Sequence, residues 1–134
     1  MGGVGVRVGW PLGVLAGAAA AVAYVGVVDP NRAGHYPTCP FLALTGYYCP
    51  GCGSLRMIHA LVHGHVAEGF GKNPLAFLMI PVVGYLWVRW AVCTARGRPV
   101  TSPLFRMWVI WVFIAVMIVY WVVRNLPFGS ALAP

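Results

Sequence analysis

The chain has 134 residues, 60% of them hydrophobic and only 8% charged, with a formal net charge of +7. A soluble domain runs at roughly 45–50% apolar and roughly 25% charged. A chain this short cannot bury such an apolar excess inside itself, so the composition excludes a soluble fold and gives one membrane domain, residues 1–134. The nine basic residues are scattered singly at predicted helix ends and in loops, which excludes the clustered footprint of a nucleic-acid binder.

Residues 8–28 carry no charge before the end of the run and are rich in Ala, Val and Gly. At about 1.5 Å per residue they reach roughly 30 Å, the thickness of the hydrocarbon core. Arg7 precedes this first span and Asp29-Pro30 ends it, because the residue before a proline is steered out of helix. Gly13, Gly17 and Ala21 recur along it, a spacing that lets another helix approach closely. Ala19-Ala20-Ala21 also offers small residues for signal-peptide cleavage, but the apolar run is longer than a usual h-region, and a retained span is expected.

Residues 29–73 form the segment before the second span. Asn73-Pro74 then opens that span: Asn is a good N-cap, and Pro suits the first helical position. The span is expected over 75–93, with Pro81 as a kink and Trp87 and Trp90 as an interfacial belt. Residues 94–103 read as a polar turn holding Arg96 and Arg98, and 104–123 as a third span with Trp108, Trp111 and Trp121. Arg124-Asn125 ends it.

Three spans put the N-terminus and the 94–103 turn on one side of the membrane. That side holds Arg7, Arg89, Arg96, Arg98 and Arg106, against Arg32, Arg56, Lys72 and Arg124 on the other. The positive-inside rule therefore places the turn in the cytoplasm and the 29–73 segment outside.

That segment contains Cys39, Cys49 and Cys52, all four histidines and both acidic residues. A short helix is expected from about residue 50 to residue 63, stopped by Gly64. Cys49 would sit at its N-cap and Cys52 in its first turn, where free N–H groups lower a thiol pKa. Cys52, Arg56, His59 and His63 would share one face within roughly 60°, with Met57, Ile58 and Leu61 opposite. At about four turns the helix is too short to span a bilayer and would lie at the interface.

Three readings of the cysteines stand open. Cys39, Cys49 and Cys52 supply three ligands of a zinc site, with His35 or His59 as the fourth. As a redox site, Cys49 attacks and Cys52 resolves, with Cys39 as an exchange partner. As a staple, Cys39 pairs with Cys49 or Cys52 in an oxidising compartment. His59 and His63 stand four residues apart and could share a metal, though with no carboxylate on that face. Arg56, in an otherwise uncharged run, needs a lipid phosphate, an anion or carbonyls, unless it snorkels to the headgroups. Cys93 reads as apolar filling at the far end of the second span. With Asp29 and Glu68 as the sole acids, no paired-carboxylate site exists, which argues against most enzymes.

Cys39-Pro40-Phe41, Leu44-Thr45-Gly46, Cys49-Pro50-Gly51-Cys52-Gly53, Arg56, His63-Gly64 and Asn73-Pro74 together resemble the bacterial membrane-protein family of domain of unknown function 2752. Leu55 and His65 stand where the family pattern often has Thr and Asp. The resemblance implies a small multi-span protein of the bacterial inner membrane and no agreed activity or cofactor.

The expected fold is thus an all-α membrane protein with three transmembrane helices and one short amphipathic interfacial helix carrying the C-P-G-C motif. The expected function is a metal- or disulfide-stabilised knuckle that docks a membrane-protein partner or a second copy, in contact with the lipid bilayer. The alternative is a membrane thiol–disulfide oxidoreductase using Cys49 and Cys52.

Overall fold

The computed structural model describes residues 4–32, 34–100 and 106–132. Among them the fold is all-helical, and three helices are long and apolar enough to cross a membrane. They are α1 (Val4–Val27), α5 (Pro74–Ala95) and α6 (Met107–Arg124), with the short α2 (Pro40–Thr45), α3 (Ser54–Val62) and α4 (Val66–Lys72) between the first two. The expected spans are all present. The expected start of the third at Leu104, and residues 101–103 of the turn, lie outside the described residues.

The local reasons are those of the sequence. Asn73 caps α5, its side chain accepting from Ala76 N at 3.0 Å with Pro74 at the first position. Gly46 at φ 75° ends α2, and Gly64 at φ 81° follows the end of α3; in both, the left-handed conformation costs glycine little.

Residues 39–73 hold three short helices rather than one. The expected helix from residue 50 begins only at Ser54, because Gly53 at φ 87° is its N-cap. Cys49 and Cys52 therefore lie in a turn ahead of the helix, with Cys52 N donating to Cys49 O at 3.1 Å.

The C-terminus of α1, the N-terminus of α5 and the C-terminus of α6 meet at one end, and α2–α4 cover it. The closest packing is found there and not along the spans. Val25, Cys52, Met57 and Ala60 are the buried apolar residues, joined by the polar Asn73 and Arg124. The flanks of the spans, including Leu12, Val83, Trp108 and Trp111, are exposed, as lipid-facing surfaces are. α1 also packs on α5, where Trp87 Nε1 donates to Pro11 O at 3.3 Å. At the covered end α1 touches α3 closely: a Cβ on Gly26 would stand 2.9 Å from Val62 Cγ1.

Candidate metal centre at a three-cysteine cluster

Cys39 precedes α2, and Cys49 and Cys52 flank the turn that leads into α3. The hairpin made by α2 and its loop returns the chain to its start, so the three sulfurs converge. Cys49 Sγ is 3.5 Å from Cys39 Sγ and 3.1 Å from Cys52 Sγ. All three lie within 4.8 Å of one another, the one group of three or more potential metal-ligating side chains among the described residues. Three sulfurs that close can all stand at about 2.3 Å from a single ion. The backbone supports the turn from inside, with Cys49 N donating to Cys52 Sγ at 3.3 Å.

The outer side of the turn is gripped by polar groups from the spans. Arg124, only 1% exposed, donates through Nη1 to the carbonyls of Cys49 (2.9 Å) and Pro50 (3.3 Å). Through Nη2 it donates to Cys52 (3.2 Å) and to Leu132 (3.0 Å). Its guanidinium lies 5.8 Å from the Tyr48 ring centroid and 5.2 Å from that of Tyr120, within range of a cation–π attraction. Asn73, fully buried, donates to Pro50 O at 3.0 Å, Cys52 O at 3.2 Å and Ser54 Oγ at 3.1 Å. Its own oxygen accepts from Tyr120 Oη at 3.1 Å as well as from Ala76 N. Asn125 completes the grip, accepting from Tyr48 N at 2.8 Å and donating to Tyr48 O at 2.9 Å. Buried carbonyls must find donors, and here side chains of α5 and α6 supply them to a turn that has no ladder of its own.

The thiols differ electrostatically. Cys39 is held below its ordinary value, first by the nearby N–H of Leu42 and then by Cys49. Cys52 is pushed up to about 12, chiefly by burial and then by contact with Cys49. The expectation that the start of α3 would lower the Cys52 pKa therefore fails: Cys52 precedes the N-cap, and desolvation of a thiolate outweighs any dipole.

His59 is not at the cluster. Its Nδ1 is 2.8 Å from Val25 O and its Nε2 is 3.7 Å from Asp29 Oδ1, so α3 turns this residue toward the end of α1. His63 Nδ1 lies 2.8 Å from His59 O, with the two rings 4.3 Å apart. His35 is exposed and lies outside the converging group. Arg56 is half-buried, and no hydrogen bond to it is found among the described residues. Cys93 sits near the opposite end of α5.

Sequence reasoning misses Arg124, Asn125 and Tyr120 as site residues and reads Asn73 as a helix cap and part of the family pattern only. The signal was present in the topology: with three spans, Arg124-Asn125 must end on the side that holds the cysteines. A cation beside an amide, facing a glycine-rich turn rich in bare carbonyls, is a pair of complementary groups.

No curated protein and no solved structure matches the chain. Residues 39–87, from the first cysteine of the cluster into α5, match the family model described as Protein of unknown function (DUF2752), the family that the cysteines, Arg56 and Asn73-Pro74 resemble.

Proposed function

We propose that this is a small membrane protein in which Cys39, Cys49 and Cys52 hold one zinc ion as a knuckle that ties the covered ends of the spans together. The observation that carries the reading is the convergence of three sulfurs within 4.8 Å on a turn whose carbonyls are gripped by Arg124 and Asn73. Thiolates are the ligands such an ion prefers, and the gripped turn presents them in advance of binding. The knuckle would fix a docking face beside the cluster, where Leu44 and Tyr47 are exposed. Crosslinking from Tyr47 to a membrane partner, lost when the three cysteines become serine, tests that part.

Metal analysis of the purified protein beside a free-thiol count tests the metal. The expected result is one zinc per chain, with Cys93 labelled at once and the other three cysteines labelled only after chelation. A metal-free protein with one disulfide would overturn it.

The second reading, a thiol–disulfide oxidoreductase, is favoured by the 3.1 Å between Cys49 and Cys52, about 1 Å more than a disulfide bond. Against it stands Cys52, whose thiol at about 12 is a poor resolving group near neutral pH.

The inner-membrane setting, with the cluster outside, is part of the proposal and rests on the family resemblance and the arginine-rich turn around Arg96 and Arg98. A membrane-impermeant maleimide applied to chelated whole cells should label the cluster cysteines and spare Cys93; the reverse pattern would invert the orientation.

A further inference from the structure

Every cysteine, histidine, aspartate and glutamate of the sequence lies among the described residues, so each of these side chains near the cluster can be placed. His59 is committed to Val25 O and Asp29, and His63 to the carbonyl of His59. Asp29 accepts from Asn31, and His65 lies beside Glu68 at 3.6 Å. His35 is exposed and apart from the converging sulfurs. The main-chain oxygens of the region are taken too. Cys49, Pro50 and Cys52 give theirs to Arg124 and Asn73, Tyr48 to Asn125, Gly51 to Ser54 N and Cys39 to Ala43 N.

Among the described residues three sulfurs are thus the whole set of metal-ligating side chains that converge here, one short of the four that zinc takes. The cluster is also reachable. Cys52 is buried, but Cys39 and Cys49 are half-exposed, and Gly51 beside them is exposed. A Cβ built on Gly51 would stand 3.9 Å from Cys49 Sγ, so the native glycine leaves that sulfur uncovered from this side.

Charge selects what enters. Three thiolates around a divalent ion leave one net negative charge, and the buried guanidinium of Arg124 behind the turn supplies one positive charge. A neutral fourth donor keeps that balance, whereas an added thiolate or carboxylate would leave a half-buried charge unpaired. We infer that the metal held by Cys39, Cys49 and Cys52 keeps one coordination position open to an exogenous neutral nitrogen donor of the imidazole class, which exchanges for water. The inference rests on the metal-knuckle reading. The exchange is a simple ligand substitution: the nitrogen lone pair binds as water leaves, and no oxidation state changes.

The test uses the full chain in detergent, loaded with Co²⁺ as a visible probe and titrated with imidazole. One cobalt per chain is expected, with intense sulfur-to-cobalt bands. The d–d bands should shift saturably as imidazole replaces water, in His35→Ala as in the native chain. Bands that ignore imidazole, or that are lost instead of shifting, overturn the open position. So does a His35→Ala spectrum that differs before imidazole is added, since the fourth ligand would then be internal. Absence of cobalt–sulfur bands overturns the knuckle itself, and the open position with it.

Discussion

The guanidinium of Arg124 donates to the carbonyl of Cys49 at 2.9 Å across 75 residues of chain, joining the end of the last span to the cysteine motif. Arg124→Ala would leave the carbonyl of Leu132 without its donor, strip one donor each from those of Cys49, Pro50 and Cys52, and remove a buried, hydrogen-bonded cation. Hydrogen bonds to charged groups contribute about 1.5–3 kcal/mol each, so a loss of about 3 kcal/mol is expected. Arg124→Lys keeps the charge but replaces the guanidinium fork with one ammonium of three donors, too few for four carbonyls, and should fall between. Thermal unfolding in detergent, followed by tryptophan fluorescence, measures both; equal melting of all three proteins would remove the grip as a stabilising element.

Asn73 donates its amide to Pro50 O and Cys52 O and accepts from Ala76 N. Asn73→Ala loses both functions and should cost about 2–3 kcal/mol at a fully buried site. Asn73→Asp is the sharper test. It retains the cap acceptor yet turns a carboxylate against two carbonyl oxygens, so it should melt below even the alanine variant unless it binds a proton. A higher melting temperature for Asp than for Ala, at pH well above the carboxylate range, would contradict the hydrogen-bond assignment.

The thiols should react in a fixed order in the reduced, metal-free protein. Cys39 is lowered from the ordinary value of 9.0, so more of it is thiolate near pH 8; Cys52, raised to about 12, is only about 1% thiolate at pH 10. Mass spectrometry of iodoacetamide-treated protein should therefore find Cys39 modified well before Cys52. The sign for stability follows from the same shifts. Cys52 favours the folded state below about pH 9, and its contribution is lost as pH rises toward about 12. Cys39 acts oppositely: its contribution is present above about pH 9 and lost as pH falls through its lowered folded value. Alkylation of Cys52 ahead of Cys39 would show that burial does not govern this site.

Gly129 is buried where the C-terminal turn passes under α6, and a Cβ there would collide with the carbonyl oxygen of Val123. Gly129→Ala should destabilise by at least about 1–3 kcal/mol, because backbone has to move, and should loosen the Leu132 contact to Arg124. Gly51→Ala is the control, since its Cβ would make only an ordinary 3.9 Å contact with Cys49 Sγ. Limited proteolysis of the two variants separates them: early cleavage is expected near the C-terminus of Gly129→Ala alone.

Sequence pattern suffices for the three helices long and apolar enough to cross a membrane and for the segment that carries the cysteine cluster. Apolar runs of bilayer length, interrupted only by Arg89 and Arg106, read as spans without any tertiary partner, and Asn73-Pro74 starts a helix by local rules that need no partner. The meeting of Cys39 with the C-P-G-C turn was legible as a possibility, because all three cysteines fall between the same two spans. The start of the short helix was not, since helix-forming residues after Cys52 gave no sign that Gly53 would take φ 87° and delay it. Tertiary packing is what turns His59 to Val25 and Asp29 instead of the sulfurs. It alone also decided that Arg124, in sequence merely the end of a span, is the donor for the turn's carbonyls. Local pattern specifies where a helix begins and which face is apolar. Which buried carbonyl meets which distant cation depends on how the chain closes, and residues 49 and 124 become neighbours only when α6 returns to the end of the fold where the cysteines lie.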